Sequence, residues 1–140
     1  MSTRIETYRG FVYPWSIDHI GHMNVQFYTG RFDEASWHFL ANLGLTPGFL
    51  KDNQRGLVAL EQRSKYMQEV LVGSLLDIQT ELLEIKSKTI RYQHYMRNSE
   101  SGEDVATMEL IIAYIDTVAR KATPLPDLAI KRAKAMMDVR

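Results

Sequence analysis

The chain has 140 residues, no cysteine, and 17 basic against 17 acidic side chains. This length suits one domain over residues 1–140 with a substantial core. The zero formal charge removes the global basic field that nucleic-acid binding uses. Absent cysteine excludes disulfides, thiolate nucleophiles and cysteine-ligated zinc or iron–sulfur clusters. Met1 to Arg9 has no leader-like apolar run, and no stretch approaches the ~18 apolar residues of a membrane span. A cytoplasmic chain with no membrane contact is expected.

In chain order, Ile5 to Tyr13 reads as a strand stopped by Pro14, and Pro14 to Gly21 as a loop. Asn24 is a candidate helix N-cap. From there Tyr28, Phe32, Ala35, Phe39, Leu40 and Leu43 fall on one helical face, with Asp33 and Glu34 on the other. Gly44 ends that helix. Gly30 lies inside it, where a close backbone approach would account for a residue that costs about 1 kcal/mol against alanine. Thr46-Pro47 opens a short helix to Asn53.

Strands follow at Leu57 to Tyr66, Leu75 to Ser87, Thr89 to Arg97 and Val105 to Val118. Asn98 to Asp104 is the turn before the last of these, which is nearly all apolar over Leu110 to Ile115 and so is expected to be central. A short helix follows Pro126, with Lys131, Arg132 and Lys134 on a solvated face and Met136 and Met137 opposite. The order predicts an α+β architecture. One helix cannot cover both faces of such a sheet, so self-association over the uncovered face is expected.

Motifs for dinucleotide, nucleotide, zinc-protease and serine-hydrolase chemistry are absent. His19-x-x-His22 has no further ligands nearby, so no metal site is expected. Trp15, Trp37 and the alternating Tyr92, His94 and Met96 read as packing residues. The segment Asp18-His19-Ile20-Gly21-His22-Met23-Asn24 is the candidate for chemistry. It sets a carboxylate in the loop before a helix, whose unpaired N–H groups suit a carbonyl oxygen gaining charge. The same residues also suit plain helix capping.

Asp18-x-x-Gly21-His22-x-Asn24-x-x-x-Tyr28, between a first strand and a long helix, resembles the signature of hot-dog-fold acyl-CoA thioesterases of the 4-hydroxybenzoyl-CoA thioesterase-like group. Gly44, the strand around Glu61, Gly73 and Pro124-Leu125-Pro126 extend the resemblance over most of the chain. It implies a curved antiparallel sheet wrapped around the long helix, assembled as homodimers or homotetramers. It also implies hydrolysis of an acyl-CoA to acid and CoA without a cofactor, CoA being part of the substrate. Asp18 would be base or nucleophile, and the Val25 backbone N–H would polarise the thioester carbonyl. His22 and Asn24 would shape the loop, with Gly21, Tyr28 and Glu61 near the substrate. Lys86, Ser87, Lys88 and Arg91, or Arg120 and Lys121, would meet the phosphates. Ser16 and Val25 stand where many relatives carry an acidic residue and a second Asn. Gly21-His22-Met23 is shared with relatives acting on betaine-type thioesters, while Phe27, Trp37 and Phe39 would suit aromatic or aliphatic acyl chains. The alternative is a non-catalytic acyl-CoA or acyl-carrier-binding protein.

Overall fold

The period-two segments of the sequence become one curled antiparallel sheet. The structure, a computed structural model, describes residues 3–138. The strands are β1 (Arg4–Phe11), β2 (Arg55–Tyr66), β3 (Leu75–Ile85), β4 (Thr89–Asn98) and β5 (Asp104–Asp116), in the order β1-β3-β4-β5-β2. A two-residue strand, β6 (Lys121–Ala122), folds back onto β5 and has no sequence signal of its own.

The helix α1 (Val25–Ala41) lies across the concave face. It forms because its apolar residues recur at helical spacing, and it buries Tyr28, Phe32, Ala35, Ser36, Phe39 and Leu40 against the sheet. Asn24 caps it, and Gly44 closes its C-terminal turn at φ +85°, a conformation that favours glycine. Thr46 caps α2 (Pro47–Asp52), and α3 (Asp127–Asp138) packs its Ala129 and Ala133 side onto the core. No described helix is long and apolar enough to cross a membrane. This is the hot-dog arrangement that the resemblance implies.

Four sequence expectations change. The first strand ends at Phe11, because Pro14–Ser16 starts a single 3-10 turn. Nothing lies within 4 Å of where a side chain at Gly30 would start, so no close approach explains that glycine. Trp15 is 72% exposed and stacks only on Tyr13, at 4.6 Å between centroids, so it is no core residue. The convex face of the sheet is polar rather than apolar. Arg4 lies over the Tyr95 ring, Tyr95 donates to Glu81, and Arg91 pairs with Glu84 and Glu109. Exposed apolar side chains include Val58, Leu60, Tyr66 and Met67 on and just beyond β2, and Phe11, Tyr13, Leu71, Val72 and Leu75 around the end of β1 and the start of β3.

The core includes one chain of hydroxyls around His94. Tyr92 donates to Ser36 at 2.9 Å, Ser36 meets His94 Nε2 at 2.8 Å, and His94 Nδ1 meets Thr80 at 2.7 Å. Thr80 meets Thr7 at 2.8 Å, and Thr7 donates to the Ile78 carbonyl at 3.3 Å. With Tyr92 donating at one end and a carbonyl accepting at the other, every bond is satisfied by a neutral His94 protonated on Nδ1. Burial holds its pKa down to about 3.

Candidate active site

The loop between β1 and α1 is closed by its own backbone. The Asp18 N–H donates to the His22 carbonyl at 3.1 Å, and the Gly21 N–H returns to the Asp18 carbonyl at 3.0 Å. Gly21 sits at φ +96°, which a side chain would strain. The Met23 N–H reaches the Val70 carbonyl at 2.7 Å, and the Asn24 N–H reaches the Ser16 carbonyl at 3.0 Å. The loop is thereby tied both to itself and to the segment before β3.

Asn24 serves two partners. Its Oδ1 accepts the Gln26 N–H at 3.1 Å, capping α1, while its Nδ2 donates to Asp18 Oδ2 at 3.0 Å. The Ile20 N–H donates to Asp18 Oδ1 at 3.0 Å. These two bonds, Asn24 first, hold the Asp18 carboxyl below the usual carboxylate range. Asp18 is therefore an anion at neutral pH, in a fixed orientation.

At the helix start, the Phe27 N–H bonds the Asn24 carbonyl at 3.0 Å, and the Gln26 N–H is capped by the Asn24 side chain. The Val25 N–H has no acceptor among the described residues. That open donor lies at the positive end of the helix dipole, one residue from the side chain that holds Asp18. His22 is half-buried, and its Nδ1 donates to the Met23 carbonyl at 3.2 Å.

A cavity of about 340 Å³ opens beside this helix start. His22, Met23, Val25 and Tyr28 line one wall, and Tyr66 to Glu69 form the other. Tyr28 is buried and meets Tyr66 edge to face, with centroids 5.1 Å apart. The Tyr28 pKa is raised by burial first, then by Tyr66 and Glu69, so the hydroxyl keeps its proton. Tyr66 and Glu69 were not among the site residues expected from sequence. They lie far from the motif in the chain, and the pairing of β2 with β5 together with the Met23–Val70 bond brings them to it.

His22, Val25 and Tyr28 line this cavity, while Asp18, Gly21 and Asn24 lie in the loop that leads into α1. Glu61 is not among them. It pairs in register with Ile111, on the face of β2 away from α1, and lies 3.9 Å from Arg63. Lys86, Ser87 and Lys88 form the β3–β4 turn, at the end of the sheet away from Asp18, about 30 Å along β3. Arg91 is already engaged by two carboxylates. Among the described residues no group of His, Asp and Glu side chains could hold a metal ion.

The pattern of the Thioesterase-like superfamily matches residues 12–132. A betainyl-CoA thioesterase of Pseudomonas aeruginosa is 25% identical over 99% of this chain and 87% of its own length. An L-carnitine dehydrogenase/betainyl-CoA thioesterase of Agrobacterium fabrum is 30% identical over 84% of this chain, which spans only 24% of that larger protein. A Staphylococcus aureus protein solved in complex with CoA shares the fold, with a TM-score of 0.89 at 18% identity, over 100% of this chain and 89% of that one. The open N–H and the fixed carboxylate therefore sit in a chain that belongs to the thioesterase-like superfamily, a hot-dog thioester hydrolase.

Proposed function

We propose that the chain hydrolyses an acyl-CoA, with Asp18 as its catalytic carboxylate and the Val25 N–H as its oxyanion donor. The observation that carries this reading is the Asp18 carboxylate, held by two 3.0 Å hydrogen bonds beside a helix N–H with no protein acceptor. The thioester oxygen sits on the Val25 N–H, where developing negative charge is stabilised. Asp18 accepts a proton from water as the water oxygen bonds to the carbonyl carbon, or it attacks that carbon itself and water then cleaves the anhydride. The C–S bond breaks, the CoA sulfur leaves with the electron pair and takes up a proton, and the acid is released. His22 lines the same cavity and supports the loop through its bond to the Met23 carbonyl. The names of the two relatives support an acyl group of the betainyl class.

The apolar side chains exposed on the outer end of the sheet support assembly through β2 as a homodimer or homotetramer. In such an assembly Lys86, Ser87 and Lys88 of a second copy would serve the phosphates of this copy's substrate. Glu61 would then serve the substrate only from the convex face of a second copy. The lack of cysteine supports a cytoplasmic setting.

The test follows free-thiol release from short, long, aromatic and betainyl CoA thioesters, with wild type and Asp18→Asn. Turnover by the wild type should fall at least ~10²-fold in the variant, a loss of about 2.7 kcal/mol of transition-state stabilisation. Equal turnover by both proteins would remove Asp18 from the mechanism. Binding of acyl-CoA without any release would replace the enzyme with a binding protein.

A further inference from the structure

The cavity beside Val25 has an unusual balance of charge. Apart from His22, its lining holds no basic side chain, yet it holds the carboxylate of Glu69. That carboxylate has no hydrogen bond or ion pair among the described residues, while its neighbour Gln68 is held by Glu103 at 2.9 Å. Glu69 also acts on the Tyr28 hydroxyl across the cavity. The Tyr28 and Tyr66 rings stand at 82° to each other, so together they offer an aromatic corner in the same cavity.

A quaternary ammonium has no N–H to donate. It is recognised by ring faces and by an uncompensated negative charge. Glu69 is exposed, and a carboxylate beside the cavity repels an anionic acyl group and attracts a cationic one. Spacing agrees with charge. Val25 and Tyr28 lie three residues apart on α1, which places their side chains about 5–6 Å from each other. In a trimethylammonioacetyl thioester only one methylene separates the cationic nitrogen from the carbonyl carbon. With the carbonyl oxygen on the Val25 N–H, the cation reaches the Tyr28 end of the cavity.

We propose that Glu69, with the Tyr28–Tyr66 corner, selects a small acyl group bearing a quaternary ammonium next to the thioester carbonyl. This selection rests on the thioesterase reading and adds to it the residues that read the acyl group. Glu69 makes the charge contact, and the two rings enclose the methyl groups.

The test compares kcat/KM for betainyl-CoA and for 3,3-dimethylbutanoyl-CoA, in which carbon replaces the charged nitrogen at the same shape. Wild type should favour the cation by about tenfold or more, and Glu69→Gln should cut that ratio about tenfold, chiefly through KM. Tyr66→Phe, which keeps the ring, should keep the preference, and Tyr66→Leu should lower it. Equal use of the two thioesters by wild type, or an unchanged ratio in Glu69→Gln, overturns the selector and leaves the thioesterase standing. Absence of thiol release from these and all other CoA thioesters removes both readings together.

Discussion

Asn24 shows how much one side chain decides. Its carbonyl oxygen starts the helix, and its amide nitrogen fixes and acidifies Asp18. The two duties separate in Asn24→Ser, because serine still caps a helix but offers no comparable reach to the carboxylate. If Asp18 is the catalytic carboxylate proposed above, hydrolysis needs its anion, and the acid limb of kcat/KM follows the Asp18 pKa. That limb should lie below the usual carboxylate range in wild type and shift upward in Asn24→Ser, toward the ordinary value of 3.8. A limb unmoved by the substitution would mean that another group sets it. Titration of kcat/KM against pH in both proteins decides the point.

At the scale of the element, the start of α1 permits a substitution that deletes one proton donor and little else. Proline is favoured at the first helical position, and Asn24 already has the extended backbone, at φ −72° and ψ 149°, that a following proline requires. Val25→Pro should therefore keep the helix and lose the proposed oxyanion N–H, lowering kcat by about 10²–10³-fold with the thermal midpoint little changed. Parallel melting and thiol-release curves read both quantities. This element was also the most legible part of the sequence. The spacing from Tyr28 to Leu40, the Asn24 cap and Gly44 all stand where the pattern put them. The reason is that helix faces and caps are set by residues within a few positions of one another. The opposite wall of the cavity was not legible, since Tyr66 and Glu69 depend on the pairing of β2 with β5. Trp15 misled for a related reason. Its size suggests burial, but its exposure is decided by where the 3-10 turn points.

For the whole molecule, the His94 chain joins β1, β3, β4 and α1 through side chains of which the sequence marked only Tyr92 and His94, as alternating packing residues. His94 is neutral in the folded state, with a pKa lowered to about 3 from 6.5. The unfolded chain therefore binds a proton that the native state refuses between those values. This contribution to stability is complete above about pH 6.5 and is lost as pH falls toward 3, at up to about 1.4 kcal/mol per pH unit. Urea midpoints measured across this range should fall in wild type and fall less in His94→Gln. Identical slopes would show that the chain tolerates a charged imidazole.

The ties that close the Asp18 loop also fix when, during folding, the site comes into being. The Met23 N–H ends on the Val70 carbonyl, the Val12 N–H on the Ser74 carbonyl, and the Gly73 N–H on the Val12 carbonyl. A nascent chain can wind α1 from local contacts alone, but it cannot set the loop until residues from beyond β2 have emerged and docked. Helix content and catalytic competence thus arrive as separate events. During synthesis the carboxylate remains unaimed until the segment leading into β3 has arrived.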